Sequence, residues 1–195
     1  MRFLRQHSRQ ITIYMVFMVL VALIQVTFLS EYLPLKIRPD LILVFAILCG
    51  YLYDTDDGIL IGLIMGFLRD MLAGRSLGLG MLLMMYAGLL ASVLFLHLFK
   101  RNIVFGLVQV LLISTLYHVL LVFLDFLFPA LPDQVYTLNH LFSLMIQDLP
   151  GQLAANLVAA VPLMLLLHFV GPYPRGQRQT GLDETISGDG VWHLS

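Results

Sequence analysis

The stretch "GILIGLIMGFLRDMLAGRSLG", residues 58–78, places a small residue at nearly every fourth position. Glycine occupies positions 58, 62, 66, 74 and 78, and aspartate occupies position 70. Four residues of an α-helix turn by about 400°, so each step moves only about 40° around the helix axis. Gly58, Gly62 and Gly66 are therefore expected to form one stripe, which Asp70 continues. Small residues in such a stripe let the backbone of a second helix approach closely.

This glycine stripe has two interpretations, because a helix of the same chain and a helix of another protein would pack against it in the same way. It either packs against a neighbouring helix of the same chain or forms an interface with a helix of a partner protein. Asp70 is either a carboxylate at a helix end or a buried polar anchor that pairs with a basic or hydroxyl group on another helix. The turn "KIRPD", residues 36–40, is the candidate for that contact within the chain. Arg69 points about 100° away from Asp70 and is expected to reach the lipid headgroups.

The composition predicts an all-α integral membrane protein. Of the 195 residues, 59% are hydrophobic and 12% are charged, and the mean hydropathy is +0.90. A soluble domain has about twice that charged fraction. The formal net charge of -1 provides no basic field that would attract nucleic acid. The single cysteine, Cys49, lies in an apolar run and is expected to be a buried, unpaired thiol.

Six apolar segments predict a compact bundle of about six transmembrane helices, two of them short. Segments 40–53 and 58–72 fall below the roughly 17 residues that a span needs. They therefore either form a tight pair of short helices or re-enter the membrane. Pro162 is expected to kink the last helix, because proline removes a backbone donor. The six segments are residues 11–29, 40–53, 58–72, 77–99, 103–128 and 147–170.

The chain divides into a transmembrane helical domain, residues 1–171, and a polar tail, residues 172–195. The tail is rich in glycine, proline and polar residues and is expected to be disordered. Cytoplasmic loops of membrane proteins contain an excess of lysine and arginine. The basic residues of this chain fit that rule when both termini are cytoplasmic.

Four residues before and after the short segments are expected to shape turns and helix starts. Pro39 and Asp40 suit the start of a helix, since a first-turn carboxylate interacts favourably with the helix dipole. Gly74 is expected to end a helix, and Gly78 is expected to lie in the turn that follows.

Polar residues inside the last two helices are expected to form hydrogen bonds in the interior. Ser114, Thr115, Tyr117 and His118 lie near the middle of the fifth segment, and Gln152 and Asn156 lie in the sixth. No motif of the common hydrolases, metalloproteases or P-loop proteins is present. The histidines are scattered over different segments, which argues against a metal site. We therefore expect no enzymatic activity, no cofactor and no bound metal.

The segment "RPDLILVFAILCGYLYDTDDGILIGLIMGFLRDMLAGRSLGLG", residues 38–80, resembles the family of the rod shape-determining protein MreD. Members of that family have a Pro-Asp pair before an apolar run and then a glycine-spaced helix that ends in aspartate, followed by a glycine-containing turn. The matching residues here are Pro39, Asp40, Gly58, Gly62, Gly66, Asp70, Gly74 and Gly78. The resemblance extends over about residues 10–171.

This resemblance implies a non-enzymatic subunit of the bacterial cell-elongation complex in the cytoplasmic membrane. The partners it implies are MreC, which spans the membrane once, RodA with its penicillin-binding transpeptidase, and the MreB filament. The glycine stripe with Asp70 then becomes a candidate docking surface for a partner helix. The family is also similar in architecture to the substrate-binding S components of energy-coupling-factor transporters. Binding of a vitamin or metal ion for such a transporter is therefore the alternative function.

Overall fold

The computed structural model describes residues 2–28, 38–53, 55–73, 78–94, 103–127 and 138–170. These residues form six helices. Helix α1, Arg2–Leu23, continues as a π-helical turn, Ile24–Phe28. The others are α2 (Leu41–Leu52), α3 (Thr55–Ala73), α4 (Leu79–Val93), α5 (Ile103–Leu127) and α6 (Leu138–Val170). The prediction of an all-α chain with about six helices is confirmed, whereas the tail, residues 172–195, lies outside the described residues.

Three helices begin earlier than the apolar runs predicted. Helix α1 begins at Arg2 instead of position 11. Helix α3 begins at Thr55 instead of position 58, so Asp56 and Asp57 lie in its first turn, where the helix dipole stabilises carboxylates. Helix α6 begins at Leu138 instead of position 147, and Pro150 and Pro162 both lie inside it. The kink at Pro162 stays a prediction.

Helix α2 lies at the centre of the bundle. Every residue from Leu41 to Leu52 is buried. The helix contacts α1, α3, α4, α5 and α6. Its twelve residues span only about 18 Å, and a helix that is apolar on all sides avoids water either inside a protein core or in a membrane. The surrounding helices therefore account for a short, wholly apolar helix at this position.

Helices α2 and α3 pack against each other as a pair, but only α2 is short: α3 has 19 residues, more than its apolar run predicted. Whether the two segments span or re-enter the membrane stays a prediction. Asp40 at the start of α2 contacts Arg69 near the end of α3. Gly50 near the end of α2 lies against Gly58 near the start of α3. The two helices are therefore antiparallel, and they define two ends of the bundle. We call these the Asp40 end and the Tyr53 end.

Contacts at the Tyr53 end fix the positions of α1 and α6. The hydroxyl of Tyr53 donates a hydrogen bond of 3.0 Å to the carbonyl oxygen of Leu167, close to the end of α6. The hydroxyl of Tyr14 in α1 donates one of 2.8 Å to Asp57. The ring of Tyr14 also packs edge-on against that of Tyr53, with 5.8 Å between the ring centroids.

Two helices of the described residues are long and apolar enough to cross a membrane by length and composition. They correspond to residues 103–124 of α5 and 140–170 of α6. Shorter apolar stretches lie at residues 11–27, 41–52 and 79–93. This pattern is consistent with a helical membrane protein in which long helices enclose shorter ones.

Candidate functional site: a polar cluster at the start of α2

The glycine stripe of α3 packs against α4 of the same chain, and Gly58, Gly62 and Gly66 are all buried. A Cβ atom at Gly58 would lie 2.8 Å from the carbonyl oxygen of Gly88, and one at Gly66 would lie 2.5 Å from the Cα atom of Met81. Real Cβ atoms essentially never come within 3.0 Å of such atoms. A partner helix at this stripe stays a prediction, and it would require α4 to move away.

A second group of glycines joins three helices at one point. A Cβ atom at Gly58 of α3 would lie 2.8 Å from the Cα atom of Gly50 in α2, as well as against Gly88 in α4. A Cβ atom at Gly50 would also lie 3.0 Å from the Cβ atom of Ala91. The sequence analysis identified only Gly58 of these three glycines. Gly50 and Gly88 become apparent only when α2 and α4 are placed beside α3.

Asp70 is buried and caps the start of α4. Its Oδ2 atom accepts hydrogen bonds from the backbone N–H groups of Gly78, at 2.9 Å, and Met81, at 3.2 Å. Gly78 is the N-cap residue of α4, has a φ angle of 118°, and has no side chain that could cap the helix. Asp70 therefore supplies from α3 the acceptor that an N-cap side chain normally supplies.

Gly80 gives the Asp70 carboxylate the room that it needs. A Cβ atom at Gly80 would overlap Oδ1 of Asp70 and would lie 2.9 Å from its Cγ atom. The hydrogen bonds of Asp70 within the described residues go to α4, whereas Lys36 and Ile37 of the candidate "KIRPD" turn lie outside the described residues, so a contact of Asp70 with that turn stays a prediction. Asp70 is a buried anchor between two helices, but its partners are backbone N–H groups. Gly74, the other predicted turn glycine, lies outside the described residues.

Arg69 contacts Asp40, the last residue of the "KIRPD" turn. Its guanidinium forms an ion pair with Oδ2 of Asp40, and it lies over the ring of Tyr117, 5.1 Å from the ring centroid. The side chain of Asp40 is 8% exposed and that of Arg69 is 27% exposed. The expectation that Arg69 extends to the lipid headgroups is therefore wrong, because its charge is paired inside the bundle.

Asp40 also caps its own helix. Its Oδ1 atom accepts a hydrogen bond of 3.1 Å from the N–H group of Leu43, which is the side-chain capping typical of an N-cap aspartate. Pro39 precedes it and is half-buried. The carboxylate thus uses one oxygen for the helix start and the other for the arginine of α3.

Two amide side chains from distant helices complete the start of α2. The N–H group of Asp40 donates a hydrogen bond of 2.7 Å to Oδ1 of Asn156 in α6. The N–H group of Leu41 donates one of 2.8 Å to Oε1 of Gln25, in the π-helical turn after α1. The Nδ2 atom of Asn156 lies 3.4 Å from the hydroxyl of Ser114 in α5. Backbone donors at a helix start need such acceptors when they are buried.

This polar cluster, which consists of Gln25, Asp40, Arg69, Ser114, Tyr117 and Asn156, joins five of the six helices. Ser114 lies near the middle of α5, and Asn156 lies near the middle of α6. The cluster therefore lies at the Asp40 end of the α2–α3 pair and beside the middle of the two longest helices, α5 and α6. Helix α4 is joined separately, through Asp70 and through a hydrogen bond from Gln109 of α5 to the carbonyl of Ala91.

The other predicted polar residues of the last two helices contact carbonyl groups of their own helix or are only partly buried. Thr115 donates to the carbonyl oxygen of Leu111 at 2.8 Å, and Nδ1 of His118 lies 2.7 Å from the carbonyl oxygen of Ser114. Both contacts join residues four positions apart in one helix. Gln152 is half-buried. Within the described residues, no group of three or more His, Cys, Asp or Glu side chains is placed to hold a metal ion.

Gln25 and Arg69 are the members of the polar cluster that sequence reasoning missed. Arg69 is next to Asp70, and only the rotation of α3 about its own axis within the bundle decides which of the two residues faces the "KIRPD" turn. The sequence around Gln25 contains no capping motif for α2, since capping by a distant side chain leaves no local pattern.

Buried polar groups join almost every helix of this bundle, and large apolar side chains cover much of its surface. This all-helical architecture is consistent with a helical membrane protein. The chain belongs to the MreD family, since residues 5–170 match the family model of the rod shape-determining protein MreD. Proteins of this family are membrane proteins of the MreBCD system, and membership implies a role in rod shape determination. No curated protein and no solved structure matches the chain.

Proposed function

We propose that this protein is a non-enzymatic subunit of the bacterial cell-elongation complex in the cytoplasmic membrane. It binds MreC and helps to organise the synthesis of peptidoglycan in the lateral wall, together with RodA, its penicillin-binding transpeptidase and MreB. Membership of the MreD family over residues 5–170 supports this proposal.

The polar cluster is the structural observation that favours a scaffold. Its charged and amide groups bond to other helices of the same chain, as the Arg69–Asp40 pair and the Asn156 contact illustrate. Interhelical hydrogen bonds of this kind hold helices in a fixed arrangement inside a bilayer. A fixed bundle can present a constant surface to partner proteins.

The proposed orientation places both termini and the Tyr53 end in the cytoplasm, and the Asp40 end towards the opposite side. It follows from the rule that cytoplasmic segments contain the excess of basic residues. The basic residues that it places in the cytoplasm are Arg2, Arg5, Arg9, Lys100, Arg101, Arg175 and Arg178.

An affinity purification of the tagged full-length protein from gently solubilised membranes tests the proposal. We expect mass spectrometry to identify MreC, with RodA or its transpeptidase, among the recovered proteins. Recovery of transporter ATPases and their coupling subunit without MreC would contradict the proposal and favour the S-component alternative. A matched purification with an unrelated tagged membrane protein of similar abundance controls for nonspecific recovery.

A further inference from the structure

The start of α2 lies beside the middle of the two helices that are long enough to span a membrane. The N–H group of Asp40 donates a hydrogen bond of 2.7 Å to Asn156, whose Nδ2 atom lies 3.4 Å from the hydroxyl of Ser114. Ser114 is at the middle of the candidate span Ile103–Leu124, and Asn156 is one residue from the middle of His140–Val170. When α5 and α6 span a bilayer, the polar cluster therefore lies near the midplane of that bilayer.

The helices on the Tyr53 side of this midplane are long enough to cross a whole leaflet. The hydrocarbon core of a bilayer is about 30 Å thick, so one leaflet accounts for about 15 Å. In α2, Asp40 and Tyr53 are about 20 Å apart along the helix, and in α3, Arg69 and Asp57 are about 18 Å apart. Helix α5 extends about 17 Å from Ser114 to its first residue. These three helices therefore fill the leaflet on this side.

On the opposite side of the midplane, the described helices end at very different heights. Helix α5 continues for about 20 Å to Leu127, and α6 continues for about 27 Å to Leu138. Helix α3 ends at Ala73, only about 6 Å beyond Arg69, and α2 begins at the midplane itself. Helix α4 begins at the level of Asp70, which caps it. Helices α2, α3 and α4 therefore stop about 9 Å or more below the surface of a flat leaflet.

The exposed apolar surfaces of α3 and α5 differ in the same way. The large apolar side chains that α3 exposes run from Leu60 to Leu72, a rise of about 18 Å. Those that α5 exposes run from Ile103 to Leu127, a rise of about 36 Å. A bilayer becomes thinner beside an apolar surface that is shorter than its hydrocarbon core.

An exposed cation lies where the short helices end. Arg38 is two residues before Asp40, so the Cα atoms of the two residues are at most about 7 Å apart. Arg38 is exposed, and no acidic side chain among the described residues forms an ion pair with it. Arg69, by contrast, is paired with Asp40. An unpaired guanidinium at membrane depth needs phosphate groups or water, which reach it when the bilayer thins locally.

We propose that the leaflet on the Asp40 side is thinned beside α2 and α3, and that the phosphate headgroups of its lipids descend to Arg38. This inference rests on the proposed function, because it requires that the chain spans the cytoplasmic membrane. The partner of this surface is the lipid bilayer itself. Beside α3 the headgroups lie about 9 Å closer to the midplane than they do beside α5, whose apolar surface fills the leaflet.

Two exposed positions of inverted depth test this proposal. Met71 of α3 is two residues beyond Arg69, about 3 Å from the midplane, and its side chain is 61% exposed. Leu120 of α5 is six residues beyond Ser114, about 9 Å from the midplane on the same side, and is also exposed. In a flat leaflet position 120 is closer to water than position 71. In the thinned leaflet the order is reversed.

The measurement uses a nitroxide spin label on the full-length protein in dioleoylphosphatidylcholine vesicles. Met71→Cys and Leu120→Cys are labelled separately, while Cys49 is buried and is left in place. Electron paramagnetic resonance compares the collisions of each label with oxygen, which concentrates in hydrocarbon, and with a neutral nickel chelate, which concentrates in water. We expect the ratio of nickel to oxygen collisions to be several-fold higher at position 71 than at position 120.

A second pair of positions is the matched control on the Tyr53 side. Leu60 of α3 and Val104 of α5 are both exposed and lie about 14 Å and 15 Å from the midplane. Because both helices fill the leaflet on this side, labels on Leu60→Cys and Val104→Cys should give similar collision ratios. The unmodified protein, treated in the same way, reports any labelling of Cys49.

Each other outcome contradicts a defined part of the proposal. A ratio at position 120 equal to or above that at position 71 would mean a flat leaflet and overturn the proposal. Few collisions with either reagent at position 71 would mean that protein, such as a second copy or a partner helix, covers α3 instead of lipid. Few oxygen collisions at all four positions would refute the location in a membrane, and the proposed function would fail as well. Failure to recover MreC, with the expected order of ratios, would count against the proposed function alone.

Variants of Arg38 test the contact with headgroups. Arg38→Leu removes the exposed cation, so the collision ratio at position 71 should fall towards that at position 120. Arg38→Lys keeps the positive charge and should keep the ratio. An unchanged ratio in Arg38→Leu would overturn the contact between Arg38 and the lipid phosphates.

Discussion

Gly80→Ala is expected to destabilise the protein, although it removes a glycine from a helix. Alanine in place of glycine stabilises a helix by up to about 1 kcal/mol. The added Cβ atom would overlap Oδ1 of Asp70, so the carboxylate has to move. It then loses its hydrogen bonds to the N–H groups of Gly78 and Met81, at 2.9 and 3.2 Å.

The size of the effect follows from these two hydrogen bonds. A hydrogen bond to a charged group contributes about 1.5–3 kcal/mol, so the lower value for both gives about 3 kcal/mol for Asp70→Ala. For Gly80→Ala, the gain in helix propensity reduces the net loss to about 2 kcal/mol. In the double variant no carboxylate remains for the Cβ atom at position 80 to overlap. The double variant should therefore lose about 2 kcal/mol of stability, against about 5 kcal/mol if the effects of the two single variants were additive.

The single cysteine of the chain provides the assay. Cys49 is buried in α2, which packs against α4, so a maleimide can label it only when the bundle opens. The labelling rate rises about tenfold for each 1.4 kcal/mol of stability that is lost. Gly80→Ala and the double variant should therefore each be labelled about 30-fold faster than the unmodified protein in detergent micelles. Asp70→Ala should label about 100-fold faster.

Two results would refute this reasoning. One is slower labelling of Gly80→Ala than of the unmodified protein, which would mean that the carboxylate tolerates the added Cβ atom. The other is labelling of the double variant several thousand-fold faster, about the product of the two single effects. Asp148→Ala, which removes an exposed carboxylate, is the matched control and should change the rate by about twofold or less.

Three further predictions use the same labelling of Cys49. Arg69→Met leaves the Asp40 carboxylate buried without its cation and should lower the free energy of unfolding by about 3–5 kcal/mol. Adding Asp40→Asn removes the unpaired charge and should restore part of that stability. An equal loss of stability in the double variant would contradict the ion pair. At Gly62, a Cβ atom alone would lie 2.9 Å from the carbonyl carbon of Met84, so Gly62→Leu should separate α3 from α4 and speed the labelling of Cys49 in the purified chain. If Cys49 stays protected and the variant instead loses a partner protein, the result would favour the partner-helix interpretation of the glycine stripe. Tyr53→Phe removes the donor to the carbonyl of α6 and should cost about 1 kcal/mol, and an unchanged rate would mean that this hydrogen bond adds nothing to stability.

Local patterns predicted the elements of the fold well. Apolar runs gave the number of helices, because a segment that avoids water has to satisfy its backbone by itself. The start of α2 at Asp40 follows from the Pro-Asp pair, which suits a helix start through local geometry alone. The starts of α1 and α6 were predicted too late, since the apolar runs did not show that the helices extend into more polar sequence.

The glycine stripe shows what a local sequence pattern is unable to predict. Its spacing predicted a close helix contact, and α3 does pack closely through these glycines. The same spacing serves a helix of the same chain or of another protein, because close backbone approach does not depend on covalent connection. Only the placement of α4 identifies the helix that α3 contacts in this structure.

The sequence by itself determined a mostly apolar, helical chain with a glycine-spaced helix and a capped helix start. The tertiary structure alone decided that Arg69, and not Asp70, pairs with Asp40, and that Asn156 completes the start of α2 from 116 positions away. Neighbouring residues of a helix point about 100° apart, so the packing of the bundle decides which of them faces a partner. A hydrogen bond between distant helices leaves no periodic pattern in the sequence, because it depends on how the helices are placed in space.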